Sequence, residues 1–195
     1  MVAELPEVFF ADGAEFERWL EEHHASSPGL WVRMAKKSGS AKRPDAPSID
    51  YPAALDAALC FGWIDGQVRR IDADFYRQRF TPRTTRSSWS KRNRDHIARL
   101  SAAGRIRPAG QAAVDAARAD GRWDAAYAGP ATATVADDLQ AALDARPAAR
   151  AFFATLTSEN RYAVLYRVET AKRPETRARR IAALVGMLER GETFH

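Results

Sequence analysis

The sequence predicts an α+β protein, in which a small antiparallel sheet packed with helices at the N-terminal end is followed by an all-helical C-terminal domain. Three observations predict it. Leu30 to Lys36 and Phe75 to Thr81 alternate their side chains as strands do. From Val135 onward, apolar residues recur at helical spacing. Between these regimes Arg122 to Thr132, with Gly129-Pro130 and several small residues, reads as a connection. The expected division is an N-terminal domain over 1–125, a linker at 126–133 and a helical domain over 134–195.

The elements follow in order. After Val8-Phe9-Phe10, Asp12 is placed to cap a helix whose apolar positions Phe16, Trp19 and Leu20 face inward and whose glutamates face out, ending near His24. The strand from Leu30 leads to a polar loop, Ser38 to Pro47. Asp50 is a cap for the next helix, with Pro52 in the first turn, where a missing N–H costs little. Leu55, Ala58, Leu59 and Gly62 form its buried stripe and bring Cys60 alongside. Gly62 suits either close packing or a left-handed helix end. Trp63 and Ile64 cover the core, and Asp65-Gly66 is read as a turn that launches a strand from Gln67 to Asp72. Phe75 to Thr81 closes the hairpin, with Tyr76, Gln78 and Phe80 on one face and Arg77, Arg79 and Thr81 on the other, one of which an antiparallel sheet can leave wet.

Ser88 is expected to cap a helix that Gly104 closes, and Pro108 to start another that stops at Gly121. Helices are then expected over Val135 to Ala145, Pro147 to Thr155, Ser158 to Ala171 and Pro174 to Arg190.

A chain of 195 residues buries roughly 70% of its unfolded surface and needs no staples. The single cysteine, Cys60, excludes an intramolecular disulfide or a cysteine zinc cluster. The first ten residues lack the basic start and apolar run of a secretory signal, and no segment is a membrane span, so the chain reads as cytoplasmic. The formal net charge is +5. Residues 1 to 30 hold seven acids and one arginine, whereas 65 to 107 hold twelve bases and four acids. Such asymmetry attracts nucleic acid or acidic partners, or is consumed internally where the acidic first helix meets the basic middle.

Three places put polar groups where apolar ones are expected. On the helix after Ser88, Asn93 and His96 share a side with Trp89, Ile97 and Leu100, so they either satisfy buried neighbours or face a cleft. Arg83 precedes this helix, and together with Trp63, Asp65 and Arg79 these residues make a candidate site for a small anionic ligand. Near the C-terminus, Glu169 and Arg177 each interrupt an apolar stripe on neighbouring helices, which predicts an ion pair across the hairpin. His23, His24, His96 and His195 have no metal spacing, no Gly-rich phosphate loop occurs, and Cys60 faces the core, so the residues call for no metal, cofactor or catalytic group.

The segments Leu30-Trp31-Val32, Ala58-Leu59-Cys60-Phe61-Gly62-Trp63-Ile64-Asp65-Gly66, Arg79-Phe80-Thr81-Pro82-Arg83, Ser88-Trp89-Ser90 and Ala171-Lys172-Arg173-Pro174-Glu175-Thr176-Arg177 together resemble the YdeI/OmpD-associated family, also called bacteriocin-protection proteins. The resemblance runs from about residue 8 to 190. It implies a role in tolerating cationic antimicrobial peptides or bacteriocins, with porin association in one branch, and a periplasmic setting from which this chain is expected to depart because its first residues do not read as a signal segment. It carries over no catalytic residues.

The leading expectation is therefore a non-enzymatic binding or stress-protection protein with a protein partner. The alternatives are nucleic-acid binding through Arg69, Arg70, Arg77, Arg79, Arg83 and Arg86, with Trp31 or Trp89 as stacking platforms, and an enzyme or sensor for a small anion near Trp63, Arg83 and Asn93.

Overall fold

The computed structural model describes residues 4–36 and 47–194. The expected polar loop, Ser38 to Pro47, lies almost wholly outside the described residues. The chain divides into two compact units, residues 1–88 with 93–124 and residues 89–92 with 125–195.

In the first unit, β1 (Glu7–Phe9) leads to α1 (Gly13–His23), β2 (Leu30–Ala35), α2 (Tyr51–Cys60), β3 (Trp63–Arg70) and β4 (Phe75–Pro82). The helix α3 (Lys91–Ala102) follows, its first two residues belonging to the second unit, and then α4 (Pro108–Ala119). The four strands form one sheet in the order β1-β2-β4-β3. The β2, β4 and β3 pairings are antiparallel as expected, and β1 is added at the edge in parallel to β2.

Local chemistry sets the boundaries. Asp12 accepts from the Glu15 N–H at 2.8 Å and starts α1, and Asp50 accepts from the Ala53 N–H at 2.9 Å and starts α2, with Pro52 in its first turn. Gly62 ends α2 at φ +74°, where a side chain would also press within 2.8 Å of the Ala109 carbonyl oxygen. Gly110 of α4 approaches the end of α2 so closely that a Cβ there would lie 2.2 Å from the Cys60 carbonyl oxygen.

Asp65-Gly66 is not a turn. The strand begins at Trp63, and its pairing with β4 slips between Asp65 and Val68. The buried side chain of Gln78 spans this irregularity, donating from Nε2 to the Gly66 carbonyl at 2.9 Å and the Gln67 carbonyl at 3.4 Å. An amide thereby replaces the ladder bonds that the slip removes.

The helix expected from Ser88 begins at Lys91 instead. Thr84 and Ser87 close a hydrogen-bonded turn, and buried Arg122 pins it by donating to the Thr84 and Ser87 carbonyls while pairing with Asp120. Trp89 and Ser90 are extended because they pair with the backbone around Tyr127: the Tyr127 N–H donates to the Trp89 carbonyl and the Lys91 N–H to the Tyr127 carbonyl. Trp89 therefore stands outside the helix, and the stretch expected as a linker contains buried Ala126 and Ala128.

One face of the sheet meets α1 and α2. Leu30, Val32, Met34 and Phe80 join Phe16, Leu20, Leu55, Leu59 and Trp63 in the core. Phe16 lies 5.6 Å from Phe80 and Trp19 stands edge-on to Trp63 at 5.9 Å, separations typical of favourable ring pairs.

In the second unit α5 (Asp137–Asp144), α6 (Pro147–Thr155), α7 (Ser158–Glu169) and α8 (Pro174–Glu189) enclose a separate core. Leu139, Leu143, Phe153, Val164, Val168, Ile181, Leu184 and Leu188 fill it. Tyr162 donates to the Ala128 carbonyl, and Tyr166 stands edge-on to Tyr127 at 5.0 Å.

Candidate functional site: the open face of the sheet

The strand period of two sends every second residue of β2, β4 and β3 to the face away from the core. Register then assembles what lies there. Arg33 on β2 is paired with Arg77 on β4, which is paired with Arg69 on β3, so three arginines stand in one rung across three strands. One rung along, Trp31 is paired with Arg79. Like charges directly opposite one another ordinarily destabilise a sheet.

Aromatic rings and one carboxylate offset the repulsion. The guanidinium groups of Arg69 and Arg77 lie 5.0 and 4.8 Å from the centre of the Trp31 ring, and that of Arg33 lies 4.3 Å from the Phe75 ring. Each distance is within cation–π range. Glu7 on the edge strand accepts from Arg77 at 2.9 Å. It is the one carboxylate bonded to these arginines among the described residues. The Nε atoms of Arg33 and Arg79 are buried without a hydrogen-bond partner. Trp31 is only 5% exposed, sealed beneath its two arginines.

The residues singled out for an anion cleft are distributed differently. Trp63 is buried, donating from Nε1 to the His24 carbonyl at 3.2 Å. Asp65 accepts from the Tyr51 hydroxyl at 2.9 Å. Both lie on the core side of the sheet, whereas Arg79 projects from the opposite face, because Asp65 is paired with Phe80, one residue along β4 from Arg79. Arg83, just beyond β4, donates to the Ser88 carbonyl at 3.0 Å. Asn93 is buried and engaged. Trp89 is buried in the second unit.

His96 sits within 2.8 Å of an Asp56 oxygen, and Arg99 donates to both oxygens of the same carboxylate at 2.6 and 2.7 Å. Burial alone would raise the Asp56 pKa, but the hydrogen bonds from Arg99 and His96 prevail and hold it below the usual carboxylate range. The polar interruption at His96 thus has a carboxylate partner on α2. Burial pushes the Cys60 thiol up to about 11, which leaves it a poor nucleophile.

Arg177, expected to pair with Glu169, makes its ion pair with Asp138 of α5, 2.5 Å from Nε and 2.8 Å from Nη2, and donates from Nη1 to the Val168 carbonyl. The hydrogen bond lowers the Asp138 pKa and raises that of Arg177. Glu169 accepts from the Ala128 N–H at 3.0 Å. Both residues border a polar cavity of about 120 Å³.

Part of the charge asymmetry is consumed internally. Glu17 of α1 pairs with Arg105, and Glu21 with Arg107. The arginine rung is untouched by these pairs.

Residues 8–113, more than half of the chain, match the family model of a domain of unknown function, DUF8412. The chain belongs to that family. Residues 132–191 match a second model, described as bacteriocin-protection, YdeI or OmpD-associated, which is the family that the sequence motifs resemble. The open arginine face thus lies within the DUF8412 region, and the core of the second unit within the OmpD-associated region. No curated protein and no solved structure matches the chain. Among the described residues no helix is long and apolar enough to cross a membrane, and no group of histidine, cysteine, aspartate and glutamate is placed to hold a metal ion.

Proposed function

We propose that this chain is a non-enzymatic binding protein of the bacteriocin-protection kind, which holds an acidic segment of a partner protein against the open face of its N-terminal sheet. The observation that carries the reading is the rung Arg33, Arg77, Arg69. A sheet gains nothing from three like charges in register, whereas carboxylates spaced along an extended chain relieve all three at once. The family described as bacteriocin-protection supplies the biological class. The reading takes the protein to act in the cytoplasm, where Cys60 remains a reduced thiol.

Single-stranded nucleic acid is the competing occupant. Such binding draws its energy from bases stacked on exposed rings; on this face Trp31 is covered by Arg69 and Arg77 and Phe75 by Arg33, while Phe9 on the edge strand, in register with Arg33, is the exposed ring it would use.

The test is fluorescence anisotropy of a glutamate-rich peptide and of a single-stranded oligonucleotide, at low and moderate salt, with the parent and with the triple variant Arg33→Gln, Arg69→Gln, Arg79→Gln. Three charge contacts, from exposed Arg69 and half-buried Arg33 and Arg79, at a few tenths to about 1 kcal/mol each amount to roughly a tenfold loss of peptide affinity or more. Parent-like binding by the variant would dismiss the face. Tighter oligonucleotide binding with a steep salt dependence would transfer the site to nucleic acid.

A further inference from the structure

A second surface, wholly within the C-terminal unit, has a different chemistry. The helices α7 and α8 run antiparallel, and along one side they leave a groove of about 530 Å³, within the size range of small-molecule sites. Its floor is apolar: Tyr166 from α7, and Ala183, Leu184 and Met187 from α8. Phe194, after α8, closes one end beneath the Arg167 guanidinium, 3.7 Å from the ring centre. The backbone there is held by the Phe194 N–H, which donates to Asn160 at 3.2 Å.

The other end is polar and cationic. Arg180 donates from Nη1 to the Arg167 carbonyl at 2.8 Å and lies 3.4 Å from the Thr170 hydroxyl, so its guanidinium is fixed at that end of the groove. Lys172 and Arg173 fall in the short turn between α7 and α8, beside Thr170, and both are exposed. Arg180 to Met187 spans about 10 Å of helix, the reach of a medium-chain acyl tail. The Arg167 guanidinium at the Phe194 end is engaged with that ring and with the Ala163 carbonyl, whereas Arg180, Lys172 and Arg173 gather at the other end; with the apolar floor between them, the groove is complementary to a molecule with an anionic head and an apolar tail.

We infer that this groove binds a single anionic amphiphile, with the acyl tail on Leu184, Met187 and Phe194 and the anionic head at Arg180 and Thr170. The inference is independent of the arginine face of the sheet, since every residue it uses belongs to the other unit. A carboxylate and a phosphate head share the chemistry, and the bound species is the monomer in solution, not a bilayer.

The experiment is isothermal titration of decanoate, kept below its micellar concentration, into the full chain, with decanol and decyltrimethylammonium as neutral and cationic counterparts and with phosphatidylglycerol vesicles as a separate arm. Decanoate is expected to saturate at one molecule per chain, with decanol at least tenfold weaker and the cation silent. Ala183→Trp, at an exposed position on α8, fills the groove without touching the core and should abolish binding. Arg180→Gln should weaken decanoate about tenfold and leave decanol unchanged, its fold being checked by circular dichroism. No saturable heat, equal binding of decanol, parent-like binding by Ala183→Trp, or binding confined to vesicles would each overturn the inference.

Discussion

On one face of the N-terminal sheet Leu30, Val32, Met34, Gln78 and Phe80 are almost fully withdrawn from water. One residue along each strand, on the other face, stand Trp31, Arg33, Arg77 and Arg79. Backbone and hydrogen-bond ladder are common to both faces, so the difference lies in what the side chains meet. The inner face is held by burial, with Gln78 as a buried polar member because the slip in β3 needs a donor. The outer face is held by guanidinium groups laid over rings, an arrangement that stays soluble while covering apolar area. Among the described residues, the sheet is thus finished on its second face by its own side chains, at the cost of crowding positive charge.

Substitutions test this contrast, beginning with the most damaging. Phe80→Ala opens a cavity among Phe16 and Leu30 and should cost about 3–5 kcal/mol in denaturant unfolding. Gln78→Leu keeps the volume but removes the donor from the Gly66 and Gln67 carbonyls; the expected loss is about 1–3 kcal/mol. Asp56→Asn, between α2 and α3, should cost a similar amount near neutral pH, since Arg99 and His96 lose a charged acceptor. Because the folded-state pKa of Asp56 is depressed, its contribution is present above the ordinary value near 3.8 and is lost as pH falls through the folded pKa. Acid titrations should therefore show a destabilisation below about pH 4 in the parent that is smaller in Asp56→Asn. On the outer face, Arg33→Gln should change stability by no more than about 0.5 kcal/mol, with a slight gain at low salt as repulsion across the rung falls. A loss as large as that of Gln78→Leu would show the outer face to be structural. Smallest of all, Cys60 should resist alkylation at pH 8 until denaturant is added, as expected for a buried thiol with a pKa of about 11.

Much of the framework was legible because its causes are local. Asp12 and Asp50 act as caps within three residues of themselves, and Gly62, Gly104, Gly121 and Gly191 all take positive φ at or just beyond helix ends. The alternation along β4 separated Phe80 from Arg79 without reference to any other strand. What could not be read was register. Arg33 and Arg69 become neighbours of Arg77 only after β2 and β3 have been aligned on β4, and the slip between Asp65 and Val68 alters that alignment. The start of α3 depended on Tyr127, 37 residues beyond Ser90. Arg177 found Asp138 rather than Glu169 because α5 supplies the nearer carboxylate, and its distance of 39 residues in sequence left no trace in local pattern. Of the candidate cleft residues, the burial of Asn93 and the placement of His96 followed from the 100° construction; the carboxylate on α2 that engages His96 did not.

The contact between α2 and α4 bears on how this sequence can change over time. With a Cβ at position 110 falling 2.2 Å from the Cys60 carbonyl oxygen, the spacing of two helix backbones is set by a single hydrogen atom, and no mutation at Cys60 can make room, because the obstacle is main chain. Lineages that retain this crossing are therefore confined to glycine at position 110 whatever their partners or habitats, while the arginines of the outer face remain free to follow whatever they bind. An alignment of relatives would separate the two kinds of constraint: a column that never varies, and a set of columns that vary together.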